Sequence, residues 1–219
     1  MYIPSSNAEP RPEVIFEFID AHPLGTLVTS SPTGELFASH LPWLVDRTRG
    51  ELGTLRAHLA RANPHHRLAR ASGGGGEALV IFTGPDAYIT PTWYAAKAEH
   101  GRVVPTWNYV AVHVYGTFRF IENPAILRDL VESLTTRHET ARPQPWHVSD
   151  APTDYVEQQF KAIVGVELTI TRVEGKWKMS QNRSGADIDG VVRGLGASSV
   201  ASDRAVAEIV AVRKPDGKQ

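Results

Sequence analysis

Apolar positions along this chain change their period several times, and each change marks an element. Val14, Ile15, Phe18 and Ile19 recur at helical spacing behind Pro12, which predicts a short amphipathic helix that Pro23 ends. Residues 24–29 read as a strand, Ser31-Pro32-Thr33-Gly34 as a turn, and 36–45 as a second strand with a break or edge position at Pro42. Arg49-Gly50 turns the chain into a third strand over 52–59. Residues 64–70 then read as a short helix, and Gly73, Gly74, Gly75 and Gly76 as a loop. Residues 78–82 form a buried strand, and 87–90 continue the pairing after a Gly84-Pro85-Asp86 turn.

The clearest alternation spans 109–121. Val110, Val112, Val114, Gly116, Phe118 and Phe120 fall on one face, and Ala111, His113, Tyr115, Thr117 and Arg119 on the other, which is the period of a long strand. Asn123-Pro124 supplies an N-cap and first-turn pair for a helix to about His138. A further helix is expected over 152–164, and a strand over 166–173. A turn at Glu174-Gly175 and a strand over 176–180 follow. A helical tail opens with the capping pattern Ser184-x-x-Asp187. Strands follow one another in hairpin-like succession, without βαβ alternation. This predicts an α+β fold that is mainly β: an antiparallel barrel with peripheral helices, not a doubly wound sheet. With no internal repeat or linker, one domain is expected: residues 1–183 carrying the barrel, and 184–219 a helical extension packed on it.

Bulk composition changes this picture little. The 219 residues are 42% hydrophobic and 21% charged with a net charge of −1, ordinary for one globular domain with a core. The near-neutral balance gives no field that would draw the whole protein to nucleic acid or an anionic membrane. The absence of cysteine excludes disulfides, thiolate metal sites and thiol catalysis. Met1-Tyr2-Ile3-Pro4 lacks a basic stretch leading into an apolar one, and no run approaches the ~18 apolar residues of a membrane span, so a cytoplasmic protein is expected. No P-loop, nucleophile elbow or HExxH motif occurs. Gly194-Leu195-Gly196 lacks the preceding strand of a dinucleotide fingerprint, and the adjacent His65 and His66 point apart, so no metal site is expected.

Charge placement is more telling. Residues 52–76 hold four Arg and three His with no Asp or Glu. Within them Arg56, His58, Arg61 and Asn63 lead into a helix start at Pro64, where backbone N–H groups and planar guanidinium forks favour an anion. A small phosphorylated ligand fits this stretch; a solvated basic surface is the other reading.

Three more segments are chemically dense: 25–29 with 38–42, 87–109, and 174–183. The runs KAEHGRVVPTWNYVAVH (97–113) and GKWKMSQNR (175–183) are long and unusual. With the Arg56–Pro64 stretch they resemble the PaiB-like family of FMN-binding negative transcriptional regulators, from Met1 to about Arg183. The resemblance implies a split β-barrel of the pyridoxamine-phosphate oxidase and flavin reductase type, with FMN at the interface of a homodimer. On that basis Arg56, His58, Arg61 and Asn63 meet the flavin phosphate. Thr26, Thr29, Ser39 and His40 face the ring edge or ribityl chain, while Trp93, Tyr94, Trp107 and Tyr109 bury or stack on the ring. Lys178, Gln181 and Asn182 reach it from the last strand, in the same or the partner subunit. Other roles remain open for some of these: Thr26 and Thr29 as plain strand residues, Trp107 and Tyr109 as core or dimer interface, Asn63 as N-cap. In the charged loop Lys97–Arg102, His100 is the candidate for proton transfer. Three functions follow: a negative transcriptional regulator, a flavin-dependent oxidoreductase or flavin reductase acting on a small molecule, or a flavin-binding module that governs a partner protein. DNA is a possible partner that the charge does not support.

Overall fold

The computed structural model describes residues 1–71 and 75–215, with the side chains of residues 68–71 left aside. Its first elements are β1 (Ala8–Glu9), α1 (Pro12–Ala21), β2 (Leu24–Ser30), β3 (Leu36–Pro42), β4 (Leu44–Asp46), β5 (Thr54–Ala60), α2 (Pro64–Ala71) and β6 (Gly75–Ile89). Then come a 3-10 turn (Pro91–Trp93), α3 (Ala96–Glu99), β7 (Thr106–Ile121), α4 (Pro124–Glu139), α5 (Thr153–Ala162), β8 (Ile163–Lys178), α6 (Gly185–Gly196) and α7 (Ala201–Val212). Of the expected glycine loop, Gly73 and Gly74 lie outside the described residues, whereas Gly75 and Gly76 open β6. The chain forms two compact units: a first of residues 1–15, 83–112 and 174–219, and a second of residues 16–82 and 113–173.

The second unit is built on a curled antiparallel sheet. Its strand order is β3-β2-β6-β7-β8-β5-β4. β3 and β4 stand at opposite ends of that order, yet only Trp43 separates them in the chain, so the sheet must bend round to bring its ends together. Trp43 makes the corner: its backbone N–H donates to Pro23 O at 2.8 Å, and its indole donates to Gly25 O at 3.3 Å. Gly25 is required there, because a Cβ would fall 2.6 Å from the Phe82 ring. Leu27, Leu55, Val80, Phe82, Val114 and Leu168 fill the interior. The face of α4 formed by Leu127, Leu130 and Leu134 packs on Leu44, Phe160 and Ile163. Asn123 caps that helix as the sequence predicts, accepting from Ala125 and Ile126 N–H.

In the first unit β1 pairs with the end of β8, Glu9 opposite Gly175. Two turns expected from the sequence are absent. β8 runs straight through Glu174-Gly175, where the glycine serves close packing: a Cβ would lie 2.8 Å from the Trp177 ring and 3.0 Å from Ile15. β6 runs through Gly84-Pro85-Asp86, and Ser202 of α7 satisfies the Asp86 backbone, accepting from its N–H at 3.1 Å and donating to its carbonyl at 2.7 Å. Glycines also decide how α6 sits. A Cβ at Gly190 would fall 1.9 Å from the Trp93 carbonyl oxygen, and one at Gly194 2.3 Å from the Trp93 indole. Gly190→Ala is therefore expected to overpack this contact and cost about 1–3 kcal/mol, whereas Gly196→Ala, which meets open space, is neutral. Paired denaturant melts of the two variants check this.

Candidate functional site

The turn from β5 into α2 fixes two of the residues singled out by sequence. Arg61 N–H donates to Ala162 O and Asn63 N–H to Ala60 O, both at 2.8 Å, which holds the backbone. The Asn63 amide bridges: its Oδ1 accepts from His65 N–H at 2.9 Å, and its Nδ2 donates to Ser39 Oγ at 3.2 Å. The His65 ring then hydrogen-bonds Ser39 Oγ through Nδ1 at 3.0 Å and Thr29 Oγ1 through Nε2 at 2.9 Å. Thr29 and Ser39 can both reach it because the β2–β3 register sets Leu27 opposite Ser39 and Thr29 opposite Phe37, on one face. His65 is fully buried, and burial lowers its pKa to about 4, so the ring is neutral near pH 7. The structure thus joins Asn63, Ser39 and Thr29 through a residue that sequence reasoning passed over. Its only signal was its place two residues after Asn63.

Arg61 stands beside this network with its side chain 39% exposed. Its guanidinium donates to Ile163 O at 3.1 Å and lies 3.9 Å from the Glu122 carboxylate. The other expected residues of the second unit lie elsewhere. Thr26 and His40 face each other across β2 and β3, on the face opposite Thr29 and Ser39, with Thr26 Oγ1 2.8 Å from His40 Nδ1; Thr26 is half-buried and His40 exposed. Arg56 and His58 alternate along β5 on one face. Arg56 is buried and donates to Asp129 of α4 at 2.8 Å, with its Nε 3.5 Å from Glu167. Glu167, itself 2% exposed, also receives a bidentate pair from Arg49 at 2.5 and 2.9 Å and a bond from Arg119 at 2.9 Å. Burial pushes the Glu167 carboxyl up, but Arg49 and Arg119 outweigh it and hold the group below its ordinary value. The charge of Arg56 is therefore matched inside the fold. His58 is half-buried, its Nδ1 has no hydrogen-bond partner among the described residues, and burial lowers its pKa.

The remaining expected residues belong to the first unit. Trp93 packs on Gly190 and Gly194 of α6. Tyr94 is buried beneath the Arg183 guanidinium, 4.5 Å from its ring, and burial raises its pKa. Gln181 is spent on its own turn, accepting from Met179 N–H and donating to Trp177 O. Trp107 is 53% exposed and meets the exposed Tyr88 edge-on at 5.9 Å. Lys178 donates to Thr106 Oγ1 and Trp107 O, and Asn182 is exposed. His100 Nδ1 accepts from Arg102 N–H at 3.0 Å within its exposed loop.

Residues 1–172 match the family model described as "Putative FMN-binding domain". The chain belongs to this family. A protein of Bacillus subtilis named protease synthase and sporulation protein PAI 2 is 31% identical, over 96% of each chain. An uncharacterized protein of Emericella nidulans is 36% identical, over 97% of each. The PaiB-like resemblance carried by 97–113 and 175–183 is thus matched along nearly the whole length. Among solved structures, the FAD and heme binding protein of Mycobacterium smegmatis superposes with a TM-score of 0.59 at 20% identity, over 84% of this chain and 79% of that one. A conserved hypothetical protein of Mycobacterium tuberculosis gives 0.57 at 14% identity, over 84% and 94%. These likenesses show the fold of this FMN-binding-domain family member to be the antiparallel split β-barrel with helices. Among the described residues no helix is long and apolar enough to cross a membrane.

Proposed function

We propose that this chain binds FMN, with the flavin phosphate at the β5–α2 turn, and that two copies enclose the cofactor. The observation that carries this reading is the Arg61–Asn63 turn in a member of an FMN-binding-domain family. Arg61 supplies a half-exposed planar cation. Asn63 is held rigid by Ser39 and His65, so its position costs little ordering on binding. The donor set suits a phosphate monoester. Thr26, half-buried, and His40, exposed, are paired and offer polar groups to the ribityl chain or ring edge. Trp107 and Tyr88, in the first unit, present aromatic faces that a second copy would cover. When bound, the flavin supplies reversible electron acceptance. The residues around it bind the phosphate, orient the ring and exclude water.

The test sets FMN against riboflavin, which lacks the phosphate. Wild type should prefer FMN. Arg61→Ala should lose more than about tenfold in FMN affinity, roughly 1.4 kcal/mol, with riboflavin affinity and fold unchanged. Equal FMN affinity in the variant removes the phosphate assignment. The Bacillus subtilis relative favours a regulatory role in which flavin occupancy serves negative control of transcription. A DNA mobility shift that weakens steeply with salt supports it. Reduction of the bound flavin by NADH or NADPH would instead favour a flavin oxidoreductase.

A further inference from the structure

A second polar cradle lies wholly within the first unit, where β8 ends and α6 begins. A cavity of about 110 Å³ is bordered by Thr106, Asn108, Lys178, Ser180, Asn182 and Arg183. That is the volume of a few water molecules at about 30 Å³ each, which suits the head of an oxyanion. The floor is rigid. Asn108 and Ser180 are both buried and exchange hydrogen bonds, Nδ2 to Oγ at 3.0 Å and Oγ to Oδ1 at 3.3 Å. Ser180 has a φ of 62°, the only non-glycine residue with positive φ among the described residues. Strain of this kind persists where surrounding contacts over-determine it, and it clusters at ligand sites. Here the Asn108 pair, the Arg183 N–H bond to Ser180 O at 2.9 Å and the two Gln181 bonds hold the turn.

Charge points the same way. Lys176, Lys178 and Arg183 converge on this strand end, and among the described residues none of them forms an ion pair with a carboxylate. Lys176 Nζ donates to Tyr2 O and lies 5.1 Å from the Tyr109 ring centroid; Arg183 stacks on Tyr94. Asp187, on α6, is buried and accepts from Ala96 N–H at 3.0 Å. Burial first, and then Lys176 and Arg183, pull the Lys178 ammonium below the ordinary lysine value. Two of its N–H groups are used on Thr106 and Trp107, which leaves the third. Asn182 is exposed and its side-chain amide makes no hydrogen bond among the described residues. Cations with no carboxylate partner among the described residues, beside an exposed amide at the mouth of a preformed cavity, present a surface suited to an anion.

We propose that Lys178, Asn182 and Arg183 bind the carboxylate or phosphate group of a small molecule other than the flavin. This assignment stands on the first unit alone and does not rest on the flavin reading. The anion needs no proton or electron transfer to bind, and its guanidinium and amide contacts replace water at a site already ordered.

The test titrates the full-length protein, at constant ionic strength, with inorganic phosphate and separately with acetate, following backbone amide resonances of residues 178–183. One or both anions should shift these resonances saturably, and the stronger one names the class. Asn182→Ala, which removes no side-chain hydrogen bond among the described residues, should weaken that binding severalfold. Arg183→Ala should weaken it by about tenfold or more, the loss of a charge-assisted pair. Arg183→Ala should keep the FMN affinity of wild type, and Arg61→Ala should keep anion binding. No saturable shift at 178–183 with either probe overturns the proposal. Loss of FMN binding in Arg183→Ala would also overturn it, because the cradle would then hold the flavin's own phosphate. The flavin assignment fails separately, through Arg61→Ala.

Discussion

Glu167→Ala is expected to cost the fold about 3–5 kcal/mol, the range for removing one partner from a buried charge cluster. The variant would leave Arg56 buried, with Asp129 as its remaining partner, while Arg49 and Arg119 swing into water. The loss comes from the stranded charge, so Glu167→Ala combined with Arg56→Met should recover much of it. The pH dependence has a fixed sign. The Glu167 carboxyl titrates below its ordinary 4.5 in the folded protein, so its contribution is complete above that value. It is lost as pH falls through the lower folded value. Urea melts of wild type and variant should therefore differ most at neutral pH and converge in acid. A difference below about 1 kcal/mol at pH 7, the scale of a surface pair, would show that the cluster contributes no more than solvated ion pairs do.

His65→Ala should destabilise the protein by about 2–4 kcal/mol and weaken FMN binding severalfold. Two buried hydroxyls, Thr29 and Ser39, lose their partner, and a small cavity replaces the ring. Asn63 loses the anchored Ser39 that fixes its amide, which is how a residue buried behind the turn would act on the phosphate proposed to bind there. His65 is a positioning residue in this account. Acid separates that role from simple packing. Burial lowers the His65 pKa from 6.5 to about 4, so the unfolded chain takes up a proton that the folded one refuses. The stability this neutral ring contributes is present above pH 6.5 and drains away as pH falls to about 4. Wild type should show that slope in both melting and FMN titration, and the variant should lack it. An unchanged acid slope in His65→Ala would assign it to other groups.

Which parts of this were legible in the sequence follows from physics that is local or not. The alternation over 109–121 needs only the two-residue period of a strand, and its valine face is buried as expected. The caps at Asn123 and Ser184 are short-range hydrogen bonds written in adjacent residues. Gly175 misled because a glycine that permits a turn and one that admits a tryptophan look alike in sequence; only the fold supplies Trp177 and Ile15. Gly190 and Gly194 likewise serve Trp93. At the site, the spacing of Arg56 and His58 put them on one face but could not say that α4 and Glu167 meet that face. Arg61 and Asn63 stand out as candidates in the sequence because a strand-to-helix turn has few packing uses for two polar side chains. His65 does not, since a buried neutral histidine has no periodicity and its partners come from β2 and β3, distant in the chain.

FMN binding, as proposed above, is tested by the visible absorbance spectrum of FMN titrated with the purified protein. Shifted, structured flavin bands that saturate at one FMN per chain are expected. A spectrum that stays that of free FMN at every protein concentration would contradict it.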